Sequence, residues 1–392
     1  MARVGFLTPA DADSTGSALG GTLFLEDGTR FDGRGIGAPG TRVGEVVFTT
    51  GMVGYPESLT DPSYRGQILA FTYPLLGNYG VPDPKARDRF GLPAHFESPE
   101  LQVRATVMRG VTRPNHWASG GRLEDWLRGE EVPGVVGIDT RRLTEHLRSV
   151  GVLRGIVWAG PSGKAPEDAA LRAAIESSPA YEDQAYMSEV SVHQPILYPG
   201  AGGPLVALLD CGVKASIIRA LLDRKFSVLR LPYDQAVPER WEGRRVSGLL
   251  VGNGPGDPET LSATIEELRR PTTRALPTLG ICLGHQLLSL ARGGTTYKLK
   301  FGHRGQNKTI CFDDGRAMIV SENHGYAVRS ESLKAGGLRP WATNPDDQTL
   351  EGIRDARGRV LGLQGHPEGH PGPQEAGFVF DRFAERVRKE AP

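Results

Sequence analysis

A thiol, an imidazole and a carboxylate, supplied by two short motifs, could together carry out nucleophilic catalysis. Cys282 lies in Gly280-Ile281-Cys282-Leu283-Gly284-His285-Gln286, between a strand-like apolar run (275–281) and a helix-like one (286–291). A Gly-x-Cys-x-Gly turn from strand to helix is the thiol form of a nucleophile elbow. Its glycines admit a tight turn that a Cβ would obstruct. The turn presents the sulfur at the carboxyl end of the sheet. The next helix aims its first N–H groups and positive dipole end at the sulfur, which favours the thiolate. A thiol nucleophile needs a base, and the base needs an acid that fixes its tautomer. His366-Pro367-Glu368, after the strand-like run 359–363, offers both two residues apart. A lone cysteine in an apolar run usually packs as a small hydrophobe. A lone histidine usually sits satisfied in a loop. The two motifs in one chain argue against both readings.

Strands must bring these groups together. The second half alternates strand (205–210), helix (214–223), strand (226–231), strand (247–251) and helix (258–270) before the elbow. This order predicts an α/β fold with a doubly wound, mostly parallel C-terminal sheet. Sites in such sheets lie at strand carboxyl ends, and Asn253-Gly254, Cys282 and His366 each follow a strand-like run. A last helix (373–388) carries Ala376, Phe380, Phe383 and Val387 on one face to cover the sheet. The first half reads as a mixed α+β domain. It has strands at 22–25, 45–50, 67–72 and 152–158, a turn at 26–29, and a helix after Asp139 that closes at Gly151. The expected divisions are a flexible segment (1–20), an N-terminal domain (21–190), a Gly/Pro-rich linker (191–204) and a catalytic domain (205–392).

The elbow followed by His366-Pro367-Glu368 resembles a class I glutamine amidotransferase domain. Further motifs narrow the resemblance: Asn253-Gly254-Pro255-Gly256-Asp257-Pro258, Lys300-Phe301-Gly302-His303 and Asn323-His324-Gly325-Tyr326-Ala327-Val328. The N-terminal half adds Leu25-Glu26-Asp27-Gly28-Thr29, Gly44-Glu45-Val46-Val47-Phe48, Gly54-Tyr55-Pro56-Glu57 and Leu59-Thr60-Asp61-Pro62-Ser63-Tyr64. Together, from about Gly21 to about Arg388, they resemble the glutamine-hydrolysing small subunit family of carbamoyl phosphate synthetase.

The resemblance implies hydrolysis of L-glutamine through a γ-glutamyl thioester on Cys282, with His366 as proton shuttle and Glu368 orienting it. Leu283 and Gly254 would supply backbone N–H groups to the oxyanion. Gly256, Gln286, Asn323, Gly325 and Tyr326 would hold glutamine. Some relatives carry a serine at the position of Gly51, so only a backbone contact could remain there. His285, His303 and His324 have no metal-ligand spacing, so structural roles and no metal are expected. Cys211 and Cys311 are expected in the core. No phosphate-loop spacing is present, although carbamoyl phosphate synthesis consumes ATP and bicarbonate. The resemblance therefore implies no cofactor in this chain, with ATP, Mg and bicarbonate on a large synthetase subunit that receives ammonia through a tunnel. The competing readings are an amidotransferase of another pathway and a non-catalytic regulatory subunit. The long N-terminal half speaks against the first, and the intact Cys282, His366 and Glu368 against the second.

Composition sets outer limits. The chain of 392 residues carries 46 acidic and 46 basic side chains, which argues against a polyanion-binding surface and hence against a nucleic-acid partner. Three cysteines without C-x-x-C spacing suit a reducing cytoplasm. No apolar run is long enough to span a membrane, and the N-terminus lacks the form of a secretory signal.

Overall fold

The computed structural model describes residues 19–391, apart from the side chains of Lys334 and Ala335. The expected flexible segment therefore lies almost wholly outside the described residues. Its end, Leu19 and Gly20, already belongs to the first strand.

In the first half, seven strands close into a barrel: β1 (Leu19–Leu25), β2 (Arg30–Gly37), β3 (Gly40–Thr49), β4 (Gln67–Phe71), β5 (Ala105–Met108), β6 (Pro133–Val136) and β7 (Leu153–Pro161). Their order is β1-β2-β6-β5-β4-β3-β7, and closure removes exposed sheet edges. Alternation along the strands turns Leu23, Val46, Ile68, Val107, Val135 and Val157 into one buried cluster, joined by Leu143 and Leu147 of the helix Thr140–Val150. Asp139 caps that helix by accepting from the Arg142 N–H. The sequence showed the strands with the strongest alternation. It did not show the closure, which rests on pairings such as β2 with β6, far apart in the chain.

The second half is built on one eleven-stranded sheet: β8 (Ile196–Tyr198), β9 (Leu205–Asp210), β10 (Ser227–Pro232), β11 (Arg240–Trp241), β12 (Arg244–Val251), β13 (Thr278–Ile281), β14 (Thr296–Phe312), β15 (Ala317–Val328), β16 (Leu338–Thr343), β17 (Leu350–Asp355) and β18 (Val360–Leu363). Strands β10, β9, β12, β13 and β18 run parallel side by side. Antiparallel strands flank them on both sides. Val206 and Leu208 of β9 pack with the helices Ala215–Asp223 and Phe378–Glu390. The alternate residues Leu205, Ala207 and Leu209 pack with the helices Ser262–Arg269 and Leu283–Ala291. A strand buried on both faces reads as a continuous apolar run, which is why β9 was legible. The expected linker 191–204 contains β8, which pairs with β10 at the sheet edge.

The β14–β15 hairpin ties the halves together. Lys300 O accepts from the Val152 N–H at 2.9 Å, Phe301 stacks on Phe48 with centroids 6.3 Å apart, and Arg304 O accepts from Thr50 Oγ1 at 3.3 Å. Among the described residues, no helix is long and apolar enough to cross a membrane.

Candidate active site

Four parallel strands end side by side, and each is followed by a polar group of the site: Lys214 after β9, Asn253 after β12, Cys282 after β13 and His366 after β18. Cys282 itself takes the strained conformation, with φ of 53° and ψ of −106°. Gly280 and Gly284 are needed for a different reason. A Cβ on Gly280 would stand 2.5 Å from the Gly284 carbonyl oxygen, and one on Gly284 would stand 2.1 Å from that of Val251. The elbow glycines thus let helix Leu283–Ala291 approach the sheet, while the positive φ falls on Cys282.

Cys282 is buried. Its Sγ lies 3.7 Å from the Asn323 carbonyl oxygen and accepts from Gln364 Nε2 at 3.5 Å. His366 Nδ1 meets Glu368 Oε1 at 2.6 Å. The other imidazole nitrogen, Nε2, completes no hydrogen bond, which leaves it available to a reacting group. Glu368 Oε1 also receives Lys214 Nζ at 2.9 Å, and Lys214 donates to Gly369 O at the same distance. Burial disfavours charge on all three groups. For His366 it is outweighed by the adjacent Glu368 carboxylate and the Cys282 side chain, which push it up to about 10. For Glu368 it is outweighed by Lys214 and His366, which hold it down at about 2. Glu368, Glu97 and Asp61 keep Lys214 charged, above the usual amine range, despite its burial.

One pocket opens on the sulfur. Its lining includes Cys282, Gly254, Gly256, Leu283, Gln286, Asn323, Gly325 and Tyr326. Gln286 is already engaged there, donating to Tyr326 O at 2.8 Å and Gln364 Oε1 at 3.0 Å. Gly256 N donates to Tyr181 Oη at 3.1 Å. A Cβ on Gly254 would fall 1.7 Å from the Cys211 carbonyl oxygen, so only glycine fits that loop. Gly51 does not line the pocket: it packs on Gln306, and its N–H donates to Thr49 Oγ1. Cys211 is buried as expected, whereas Cys311 is partly exposed.

A family model described as carbamoyl-phosphate synthase small chain, CPSase domain, matches residues 23–157, and one described as glutamine amidotransferase class-I matches 207–386. The carbamoyl phosphate synthase small chain of Pyrococcus furiosus is 42% identical over 93% of this chain and 96% of its own. That of Sulfolobus acidocaldarius is 42% identical over 95% and 98%, and that of Symbiobacterium thermophilum 42% over 94% and 98%. The chain belongs to the carbamoyl phosphate synthase small chain family. It is a glutamine amidotransferase.

Sequence reasoning missed three features of this small chain. Lys214 and Gln364 were not singled out. The usable signal was position: Lys214 follows a strand that ends beside the elbow strand's neighbour, and Gln364 directly follows β18. The barrel's contribution was missed too. Glu45, Ser63, Gln67 and Tyr181 line the pocket, and Asp61 receives Asn253 Nδ2 at 3.4 Å and Asn323 Nδ2 at 3.3 Å. His303 and His324, expected in structural roles and without metal-ligand spacing in the sequence, come together in space. Strand pairing sets His303 directly opposite His324, and with Glu322 and Glu351 they form one buried cluster.

Proposed function

We propose that this small chain hydrolyses L-glutamine at Cys282 and passes the ammonia to a large synthetase subunit. The reading rests above all on the 2.6 Å His366–Glu368 contact beside a sulfur held at positive φ on a strand-to-helix elbow.

In this mechanism the Cys282 thiol proton rests on His366 Nε2, where Glu368 holds the imidazole charged, and the thiolate sulfur attacks the side-chain carbonyl carbon of glutamine. The developing oxyanion is met by the N–H groups of Leu283 and Gly254, a geometry of the oxyanion-hole kind. As the tetrahedral adduct collapses, the C–N bond breaks, His366 returns its proton to the nitrogen, and ammonia leaves a γ-glutamyl thioester. Water then attacks with His366 as base, the C–S bond breaks, and glutamate departs with the thiol restored. Glu368 keeps the imidazole oriented, and Lys214 keeps Glu368 ionised. Gly256, Gln286, Asn323, Gly325 and Tyr326 frame the substrate, whereas the placement of Gly51 against Gln306 leaves it without a role in the proposal.

The large subunit would carry ATP, Mg and bicarbonate and form carbamoyl phosphate, with no cofactor required in this chain. A tunnel would keep ammonia unprotonated and out of bulk water. Residues 21–190 act as the docking and structural module for that subunit, and residues 205–392 as a doubly wound catalytic unit. The free thiols suit a cytoplasmic setting. The deciding experiment assays the complex with the large subunit. Cys282→Ser should abolish glutamine-dependent synthesis and leave ammonia-dependent synthesis intact. Retained glutamine-dependent activity would sink the nucleophile assignment.

A further inference from the structure

A second group of buried polar side chains adjoins the pocket, with His324 in its lining, and takes no part in the proposed hydrolysis. His303 of β14, Glu322 and His324 of β15, and Glu351 of β17 are each more than nine-tenths buried. One ligand atom from each lies within 4.8 Å of all the others. Most of their inward atoms have no hydrogen-bond partner: His303 Nδ1, His324 Nε2, both Glu322 oxygens and Glu351 Oε2. The approach of His303 Nδ1 to Glu322 Oε2 is 3.1 Å but too poorly directed to complete a hydrogen bond. Buried polar atoms are almost always paired, and five without a hydrogen bond in one cluster call for a missing partner.

The outward atoms show what kind of partner. His303 Nε2 meets Asp347 Oδ2 at 2.8 Å, and His324 Nδ1 meets the Tyr326 carbonyl oxygen at 2.8 Å. An imidazole that donates its outer N–H to a carboxylate or carbonyl turns a bare lone pair inward, the arrangement that orients metal-binding histidines. Glu351 Oε1 is likewise held by Thr349 Oγ1 at 2.8 Å, leaving Oε2 free. With both imidazoles neutral, as metal binding requires, the two carboxylates bring a charge of about −2, which a divalent cation cancels without lysine or arginine.

We propose that His303 Nδ1, His324 Nε2, Glu322 and Glu351 bind one divalent cation of the zinc class, as a structural brace between the β14–β15 hairpin and β17. An N2O2 set with no exposed ligand suits a closed, four-coordinate zinc site. Zinc bonds of about 2.0–2.2 Å place ligand atoms about 3.3–3.6 Å apart, so the side chains close on the ion by about an ångström. Asp347 is partly exposed and marks the way in. The brace would act on the adjoining substrate pocket. Glu322 and His324 flank Asn323, whose carbonyl faces Cys282 Sγ, and the Tyr326 carbonyl held by His324 also receives Gln286.

The test uses the full chain in the Cys282→Ser background, so that the catalytic thiol cannot supply a ligand. Elemental analysis of the untagged protein should find about one zinc per chain, and calorimetric titration of chelator-stripped protein with Zn2+ should return about one equivalent. Zinc should raise the melting temperature of the stripped protein. Asp347→Asn leaves all four ligands in place and should weaken Zn2+ binding about 10–100-fold. Glu322→Gln should remove it. Absence of zinc, silent calorimetry and an unchanged melting temperature would overturn the brace and leave a network of shared protons. Zinc binding unaltered by Asp347→Asn and Glu322→Gln would overturn it equally, by placing the ion elsewhere. None of these readouts depends on glutamine hydrolysis, so this inference can fail without the proposed function failing.

Discussion

One wall of the pocket comes from the strand ends of the parallel sheet, where Cys282, Leu283 and Gln286 sit with His366 and Glu368 buried beside them. The other comes from the barrel half, through Glu45, Ser63, Gln67 and Tyr181. On the first wall, charged groups are held by one another: Lys214, Glu368 and His366 form a continuous buried chain. On the second, polar groups hold parts of the first. Asp61 steadies Asn253 and Asn323, Ser63 receives Asn253 Nδ2 at 2.9 Å, and Tyr181 occupies the Gly256 N–H. Glu45 ties Lys298 of the hairpin at 2.7 Å and accepts from Gln67 at 2.8 Å. In the proposed mechanism the sheet wall supplies reactivity and the barrel wall supplies position. Damage to the first should appear in kcat, and damage to the second in KM and stability.

His366→Asn is the hardest test of that division. It should lower kcat for glutamine hydrolysis by at least about 10²–10⁴-fold, and adding Cys282→Ser should cost little more, because nucleophile and base act as a unit. An additive loss in the double variant would break the unit.

Glu368→Gln should cost less in kcat than His366→Asn, since the base remains. It also strands the Lys214 ammonium, and removing one partner of a buried pair destabilises by about 3–5 kcal/mol. Glu368→Gln with Lys214→Met should recover part of that stability without recovering activity, as read by denaturant unfolding beside a glutaminase assay. Equal stability in the single and double variants would show that Lys214 is not held by Glu368 alone.

On the barrel wall, Asp61→Ala should raise KM for glutamine several-fold with kcat nearly kept. Stability should fall by about 1–3 kcal/mol, because two buried amide groups lose an acceptor. A fall in kcat comparable to that of Glu368→Gln would erase the distinction between the walls.

A final effect is a pH dependence. The folded state raises His366 from 6.5 to about 10. Its stabilisation is therefore complete below about pH 6.5 and is lost as pH rises through about 10, at up to about 1.4 kcal/mol per unit. Thermal melts between pH 6 and 10 should show a steeper alkaline decline in the wild type than in His366→Asn. Parallel curves would mean that the imidazole is not held charged by Glu368.

Legibility followed the range of the contacts. The elbow could be read because its glycines and sulfur fall within five residues between two adjoining apolar runs, and β9 because a doubly buried strand needs an unbroken apolar run. The helix after Asp139 announced both its cap and its Gly151 end. Lys214 and Gln364 could not be read the same way, since a lysine or glutamine after a strand has no local mark of burial. Gly51 was assigned by likeness to a position whose side chain is absent here, and its surroundings turned out to be Gln306.

The amino-acid sequence by itself determined the groups on which the proposed chemistry rests: a cysteine on a strand-to-helix turn, a histidine two residues from a glutamate, and the order of strands that sets them on one edge. These are local patterns, written by steric and periodic rules that act over a few residues. Only the tertiary structure decided which partners those groups meet. Lys214 reaches Glu368 across 154 positions, Asp61 reaches Asn323 across 262, and His303 faces His324 because two long strands pair in one register. Such contacts follow from closing a barrel and stacking strands over distances at which the chain carries no pattern of its own, and burial then makes each of them consequential by removing the water that would otherwise satisfy the charge.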